Sequence, residues 1–443
     1  MSILPFLSKG GREIKITLIG AGSMVFTRKL VGDILLLPEF ADVEIALVDI
    51  DPQRLSSAEL LVQAIAETLR VQPRVTAHQD LLEALPGTNY TISTIQIGGF
   101  PATQNDFEVP KRFGIEQTVA DTLGIGGIFL ALRTIPVLLA ICHQMERFCP
   151  DALLLNYVNP MAMVTWAIAH ATMVRVIGLC HSIPNTAKTL AEYMELPVNE
   201  LVYRCAGINH LAFYLELTHK GKDVYPLLRL KSECEEIWQR DPVRFELFQR
   251  LGYFVSESSK HVAEYMPYFI RRAHPNLIKQ FGIPLRYNIG RYYYLKGQWQ
   301  ELDKALRTQA TQLAVYPSGE SAALLIHSIE TNTPRVIYGN VLNHGLINNL
   351  PQDCCVEVPC LVDAQGIHPE MIGDIPPQLA ALLHSNVSVQ RLVVEALLTG
   401  KKEYVYHAAM FDPHTAAELS LSEIYELVDA MFEVHKEHLP ALR

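Results

Sequence analysis

A cysteine and a histidine stand side by side at Cys180 and His181, where the apolar run VRVIGLC ends. If that run is a strand of a parallel sheet, the pair lies at its carboxyl end, the edge where open α/β sheets collect their ligands. A buried thiol beside a core histidine is the commoner explanation of such a pair. Thiolate and imidazole also suit a borderline divalent metal. From spacing alone, both interpretations stay open.

Two further polar segments close strand-like runs. Asn159 lies in NYVNPMAM, and His210 lies in CAGINHLAF. A thiolate and one imidazole would give a metal two protein donors. Two donors leave coordination positions open for substrate oxygens, as a catalytic rather than a structural metal site requires.

Four other residues each have a structural and a functional explanation. Asp121 in VADTLGIGG could simply cap the glycine-rich turn. Tyr265 in ESSKHVAEYMPYF could be a packing aromatic. His261 is four residues earlier, on the same helical face, and is expected to orient Tyr265 or to pack beside it. Arg133 interrupts an apolar helix and needs a partner if buried, for which Asp121 is a candidate.

The segment ITLIGAGSMVF is typical of a nucleotide-binding turn. Gly20, Gly22 and Ser23 come directly after an apolar strand and before a helix, where glycines let backbone N–H groups approach a pyrophosphate. Val25 takes the place of the third glycine of the usual pattern. Asp49 ends the next strand, where a carboxylate can bond a ribose 2′-hydroxyl and repel a 2′-phosphate. The context predicts NAD binding, against the alternative of a turn without a ligand.

The elements that position these residues change in character along the chain. Up to about residue 200, strands such as EIKITLIG, DVEIALVD and YTISTIQIG alternate with helical stretches, which predicts a parallel sheet covered on both faces. Beyond it, LVYRCAGINHLAFYLELTHKGKDV predicts antiparallel strands joined at HKGK, and 232–310 and 375–440 are mainly helical. We therefore predict an α/β domain over 1–200 and a mixed α+β domain over 201–443, packed against the first.

Composition excludes several classes of partner. The net charge is −10, with no basic run, which argues against nucleic acid and an anionic membrane surface. We expect no apolar stretch of roughly 18 residues that would span a bilayer. The opening MSILPFLSKGGREIK is too weakly apolar for a signal peptide and is expected to be a flexible lead-in. Eight cysteines without a C-x-x-C pair predict reduced thiols in a cytoplasm.

Taken in order along nearly the whole chain, these segments resemble glycoside hydrolase family 4. The resemblance is carried by these stretches: GAGS, DIDPQRL, IQIGGF, EQTVADTLGIGG, ALRTIP, NYVNPMAM, GLCHSIP, CAGINHLAFYLEL, GYFVSESS, AEYMPYF, VIYGNV, NNLPQDCCVEVPCLVDAQGI and YHAAMFDPHTAAELSL. The resemblance implies a Rossmann-type, lactate/malate dehydrogenase-like NAD-binding domain with NAD and a divalent metal, typically Mn²⁺, as cofactors. It also implies a homodimer or homotetramer. Glycosidases of this kind depart from the usual two-carboxylate scheme.

The resemblance further implies a reaction without net redox change. NAD⁺ takes hydride from C3 of the sugar, a base removes the C2 proton, the aglycone leaves, water adds, and NADH reduces C3 again. The residues matching the metal ligands are Cys180 and His210, and Tyr265 matches the base. We also predict Asp121 to be a catalytic residue.

Two more roles follow from the same resemblance. Asn159 matches a residue that bonds a sugar hydroxyl. His181 follows the metal-binding cysteine, at the position assigned as general acid in relatives that have Asp there.

The same motif implies the substrate class. CHS resembles the α-galactosidases of the family, with Ile183 where valine is usual. Relatives acting on phospho-sugars carry arginines where this chain has Gln96 and Thr103, so an unphosphorylated α-galactoside is expected. α-Galacturonidase and α-glucuronidase activities are alternatives within the family. An NAD-dependent 2-hydroxy acid dehydrogenase is the alternative from another class, and a non-catalytic nucleotide-binding regulator is a third.

Overall fold

The structure, a computed structural model, describes residues 13–308 and 313–443. The lead-in expected at the N-terminus falls largely on residues 1–12, which lie outside the described residues.

The first half forms a parallel sheet in the order β3-β2-β1-β4-β5-β6. This is the strand order of dinucleotide-binding domains, with a crevice where the order reverses between β1 and β4. Strands β1, β2, β4 and β5 are almost completely buried, which explains their near-continuous apolar sequences, whereas the edge strand β3 is exposed to half-buried and more polar. The strands are β1 Lys15–Ile19, β2 Glu44–Val48, β3 Arg74–His78, β4 Tyr90–Ser93, β5 Leu153–Asn156 and β6 Arg175–Gly178.

Seven helices connect and cover these strands. The second begins sharply because the Asp51 side chain accepts hydrogen bonds from the backbone N–H groups of Gln53 and Arg54, with Pro52 at the first position. The helices are α1 Met24–Leu35, α2 Pro52–Leu69, α3 Leu81–Ala84, α4 Gly99–Arg112, α5 Gly124–Phe148, α6 Met161–Ala171 and α7 Ser182–Met194.

The second half continues the same sheet with antiparallel strands, in the order β6-β10-β11-β7-β8-β9, and β12 pairs with β11. The two halves are joined through the pair Asn340 and Gly178. The predicted antiparallel pair at HKGK is present, since β8 ends at His219 and β9 begins at Lys222. The strands are β7 Leu201–Ile208, β8 Leu211–His219, β9 Lys222–Asp223, β10 Arg335–Leu342, β11 Cys355–Asp363 and β12 Gly366–Pro369.

Helices make up most of the rest of the second half, as the sequence predicted. They are α8 Tyr225–Ser232, α9 Glu235–Arg240, α10 Pro242–Leu251, α11 Ser259–Val262, α12 Asn276–Gln280, α13 Tyr287–Arg307, α14 Ala322–Thr331, α15 Pro377–Thr399, α16 Glu403–Phe411, α17 Pro413–Glu418 and α18 Leu421–His435. The architecture is a Rossmann-type α/β fold continued by a mixed α+β part, and the predicted fold class is confirmed.

Helix α5 corrects one expectation. Its 25 residues include a window of mean hydropathy 2.2, so by length and composition it could cross a bilayer, and the expectation that no such stretch exists was wrong. Of that window, 72% is buried inside the protein, as in a core helix, and one helix of this kind is weak evidence of a membrane span.

Arg133 in α5 has a different partner from the one expected. Its guanidinium forms a two-pronged ion pair with the Asp106 carboxylate and also donates to the Ile97 carbonyl at 3.2 Å. His435 Nε2 lies 3.0 Å from the same carboxylate. Asp106 lies on α4, which packs on α5, whereas Asp121 lies in the segment before α5 and accepts hydrogen bonds from Thr122 and Asn288. The pairing therefore ties α4, α5 and α18 together, and the Asp121 partnership was wrong.

Candidate functional site

The carboxyl ends of the parallel strands bring the predicted residues to one edge of the sheet. Gly20 follows β1, Asp49 follows β2, Asn159 follows β5, and Cys180 follows β6. Strands β5 and β6 are neighbours with Asn156 opposite Gly178, so Asn159 and Cys180 begin adjacent loops. The glycine turn and Cys180 thus share the crevice side of the sheet.

The glycine turn leaves its backbone open to close approach. Gly20 has φ +89°, and a Cβ there would lie 2.9 Å from the Ile95 nitrogen. A Cβ at Gly22 would lie 2.5 Å from Cβ of Arg54. Neither position can carry a side chain, and α1 starts directly afterwards, which is what a pyrophosphate at a helix N-terminus needs.

Asp49 lies beside that turn. One carboxylate oxygen accepts from the Gly22 N–H at 2.8 Å and the other from the Asp51 N–H at 3.0 Å. Each oxygen keeps a lone pair for a ribose hydroxyl. The Ser23 side chain does not cap α1, so its hydroxyl is not committed to the helix. The chemistry of the turn fits NAD, and Val25, 37% exposed, lies on the surface of α1.

Cys180 and His210 meet at a group of three possible metal donors. The ligand atoms of Cys180, His210 and Glu257 all lie within 4.8 Å of one another. His210 Nε2 is 3.6 Å from a Glu257 carboxylate oxygen. One sulfur, one nitrogen and one oxygen, two of them from buried residues, suit a borderline divalent cation and leave room for substrate oxygens.

Sequence reasoning missed Glu257. The residue follows a short extended segment that bridges to β8 through Val255 and Phe213, which places it beside the β7–β8 turn that carries His210. Both Glu257 and His210 have φ of +63°, a strained conformation for residues other than glycine and one that clusters at functional sites. An acidic residue closing the apolar run GYFVS was the available signal.

The Nδ1 atom of His210, on the ring edge away from Glu257, contacts the predicted base. Tyr265 is 1% exposed, and its hydroxyl lies 3.2 Å from His210 Nδ1. The Thr122 hydroxyl lies 3.1 Å from the same nitrogen and donates to Asp121 at 2.9 Å. Asp121 also accepts from the Asn288 amide at 3.0 Å. Asp121 therefore reaches Tyr265 and His210 through Thr122.

Burial makes these groups hard to ionise without a cation. Desolvation, followed by nearby carboxylates, raises the pKa of Cys180 to about 12. Desolvation and the Asp121 charge also raise the pKa of Tyr265 above its ordinary value. A divalent cation among the three donors would oppose both effects by stabilising the anionic forms. The donor set fits a metal for this reason as well.

His181 lies apart from the three donors. Its Nδ1 faces the buried Glu320 carboxylate at 3.3 Å, and Lys29 Nζ lies 3.1 Å from the same oxygen. The bond to Glu320 raises the pKa of His181, which favours a proton-carrying imidazole. Glu320 is far away in sequence, so no local pattern predicted it.

His261 does not orient Tyr265. Its Nδ1 lies 3.2 Å from Glu257 and 2.9 Å from the Ser258 hydroxyl, and its ring packs edge-on against His210 at 5.1 Å between centroids. The α11 helix ends at Val262, so the helical spacing assumed for His261 and Tyr265 does not hold. His261 supports the Glu257 carboxylate instead.

Two sequence profiles together cover most of the chain. The profile described as "Family 4 glycosyl hydrolase" matches residues 15–196, and "Family 4 glycosyl hydrolase C-terminal domain" matches residues 205–415. The chain belongs to glycoside hydrolase family 4. The family resemblance found in the sequence is confirmed.

Named relatives agree with this membership. An "Alpha-galactosidase" of Bacillus subtilis is 44% identical, covering 96% of this chain and 99% of its own. An "Alpha-galacturonidase" of Thermoanaerobacter italicus is 27% identical, covering 96% and 97%. A 6-phospho-alpha-glucosidase from gut microorganisms, solved with NAD and Mn²⁺, has the same fold, with a TM-score of 0.80 at 20% identity, covering 98% of this chain and 100% of its own.

Replacing Glu257 by glutamine should weaken Mn²⁺ binding at least about tenfold, because an amide oxygen is a poorer donor than a carboxylate. Titration calorimetry of the purified protein with Mn²⁺ checks this. Glu246→Gln is the matched control, since Glu246 pairs with Arg250 on the surface. Equal Mn²⁺ affinity in wild type and Glu257→Gln would remove Glu257 from the donor set.

Proposed function

We propose that this chain is an NAD- and divalent-metal-dependent α-galactosidase that cleaves unphosphorylated α-galactosides. The observation that carries the proposal is the donor group Cys180, His210 and Glu257 on the same sheet edge as the glycine turn. The 44% identity with an α-galactosidase over 96% of the chain supports the substrate class.

When bound, NAD⁺ supplies a hydride acceptor for C3 of the sugar, and the metal supplies a Lewis acid for the oxygens at C2 and C3. Cys180, His210 and Glu257 would hold the metal. Gly20, Gly22, Ser23 and Asp49 would hold the cofactor.

Tyr265 removes the C2 proton. Its hydroxyl is held next to His210 Nδ1, and the positive charge of a cation bound by the donor group would lower the pKa of Tyr265. Asp121 acts through Thr122, whose hydroxyl it holds against His210. Positioned proton transfer of this kind supplies ~10²–10⁴-fold in rate.

His181 protonates the departing aglycone oxygen. Glu320 holds Nδ1, which leaves Nε2 to face the substrate, as in other carboxylate–imidazole pairs. Asn159, half-buried at the start of the neighbouring loop, bonds a sugar hydroxyl.

The residues at positions 96 and 103 support an unphosphorylated sugar. Gln96 donates to the Thr103 hydroxyl at 3.0 Å, where an arginine would be needed to pair with a phosphate. A galacturonide is the second candidate, because an α-galacturonidase aligns over 96% of the chain. A hydroxy acid dehydrogenase is disfavoured, since such enzymes need no metal thiolate.

A substrate panel tests the proposal. Aryl α-galactoside, α-glucoside, α-galacturonide and α-glucuronide are each incubated with enzyme, NAD⁺, Mn²⁺ and a thiol reductant, and aryl alcohol release is measured. We expect kcat/KM for the α-galactoside to exceed that for each other substrate at least about tenfold. A site built to hydrogen-bond the hydroxyl groups of one sugar rejects sugars that leave its polar groups unpaired. A higher value for the α-galacturonide would move the assignment to that class.

Replacing Asp49 by asparagine should reduce the preference for NAD⁺ over NADP⁺ by ~10–100-fold. The change removes a charge-assisted bond to the ribose, worth ~1.5–3 kcal/mol, and the repulsion of a 2′-phosphate. Titration of each cofactor into wild type and variant measures the ratio. Asp51→Asn is the control, since Asp51 caps α2 beside the same turn. An unchanged ratio would refute the ribose contact.

Three further parts of the proposal concern the whole protein. The chain divides near residue 200 into a cofactor part and a metal and substrate part, and the site spans both because Cys180 and Tyr265 lie on opposite sides of that boundary.

All eight cysteines are free, which supports a reducing cytoplasm. Helix α13 has one buried residue in 21 and exposes Tyr293 and Tyr294, which supports a homodimer or homotetramer.

A further inference from the structure

A buried carboxylate next to Tyr265 has no role in the scheme above. Glu264 is 1% exposed. Its Oε2 lies 2.5 Å from the Thr118 hydroxyl and 2.8 Å from the Val119 nitrogen, and its Oε1 lies 2.9 Å from the Ala120 nitrogen. All three groups belong to one short segment, 118–120, which directly precedes Asp121.

That segment needs to be held in place. Ala120 has φ +55°, which is costly for a residue with a side chain. Helix α5 packs closely on it, since a Cβ at Gly126 would lie 2.7 Å from Ala120 and one at Gly127 would lie 2.7 Å from Thr122. The Glu264 carboxylate supplies acceptors for two backbone N–H groups that this conformation turns inward.

The segment leads directly to the proton-transfer group. Asp121 accepts from Thr122, and the Thr122 and Tyr265 hydroxyls both contact His210 Nδ1. Glu264 and Tyr265 are neighbours in the chain. The bonds from Glu264 therefore fix the Asp121–Thr122 pair relative to the tyrosine that it serves.

We propose that Glu264 is a positioning residue for proton removal: its carboxylate ties segment 118–120 to the turn carrying Tyr265 and so fixes Thr122 against His210 and Tyr265. The inference rests on the proposed function. Burial raises the pKa of Glu264 to about 7, and the three contacts of segment 118–120 oppose that shift. Glutamine has one acceptor oxygen, so it loses one of the two backbone bonds.

The test separates the hydride step from the proton step in Glu264→Gln. Single-turnover mixing with aryl α-galactoside, NAD⁺ and Mn²⁺ follows NADH absorbance and aryl alcohol release together. We expect aryl alcohol release to slow by ~10²-fold, the cost of a small misplacement of catalytic groups. Initial NADH formation stays within about threefold of wild type, so NADH accumulates transiently.

A purely structural role predicts another pattern. Slowing of both signals together, or of neither, would overturn the positioning role. Glu418→Gln is the matched control, because Glu418 is also buried and accepts from the Arg272 nitrogen at 2.9 Å, and both signals should match wild type. Thr118→Val removes the hydroxyl contacts with Glu264 and with the Lys260 carbonyl but keeps both backbone bonds of Glu264, and it gives the same readout if Glu264→Gln does not fold. A wild-type enzyme that releases no aryl alcohol would refute the proposed function instead.

Discussion

Replacing Cys180 by serine is expected to lower aryl alcohol release from an α-galactoside by about 10³-fold. A Lewis acid contributes several kcal/mol to stabilising the charge that develops at the sugar oxygens, and a neutral hydroxyl does not replace a thiolate as its ligand. Metal analysis of the purified variant should show less bound Mn²⁺ than wild type. NAD⁺ affinity should change by less than about threefold, because the glycine turn and Asp49 are untouched.

The matched control for this change is Cys149→Ser. Both thiols are buried, with Cys180 8% and Cys149 6% exposed, but Cys149 ends helix α5 away from the donor group. Activity and metal content should be retained in Cys149→Ser. Full activity in Cys180→Ser would contradict the ligand assignment.

Replacing Tyr265 by phenylalanine is expected to reduce kcat by ~10²–10⁴-fold. The ring still fills its buried site, and the change removes only the hydroxyl that contacts His210. Mn²⁺ and NAD⁺ should bind as in wild type, and NADH should still form on mixing, because hydride transfer from C3 precedes loss of the C2 proton.

Tyr268→Phe provides the comparison. Tyr268 lies three residues later and is 59% exposed, so loss of its hydroxyl should leave kcat within about twofold of wild type. A Tyr265→Phe enzyme with normal kcat would assign the base to another group, and the Asp121 carboxylate would be the next to replace.

The parts of the fold that the sequence predicts best are those with strong local signals. The glycine turn after β1, the carboxylate after β2 and the apolar parallel strands each follow from short-range patterns of period and turn chemistry. The wrong partner predicted for Arg133 shows the limit of such patterns. Its true partner, Asp106, lies on α4, and only helix packing brings the two together.

In the donor group, too, some residues follow from local sequence signals and others only from tertiary contacts. Cys180 and His210 stand out because each closes a strand-like run, and the structure brings them together. Glu257 reaches them through pairing of its segment with β8, and Glu320 reaches His181 from the segment before α14. The positions of Glu257 and Glu320 depend on tertiary contacts between segments far apart in the sequence. No local periodicity of the sequence predicts such contacts. His261 was misplaced because a four-residue helical turn was assumed to continue.

The most direct test of the central claim is a cofactor-omission assay on metal- and nucleotide-free enzyme. Aryl alcohol release from an α-galactoside and NADH absorbance are followed together, with NAD⁺ and Mn²⁺ added singly and in combination. We predict sustained release only when both are present, with no steady accumulation of NADH. Equal release without NAD⁺, or steady NADH formation without glycoside cleavage, would contradict the account.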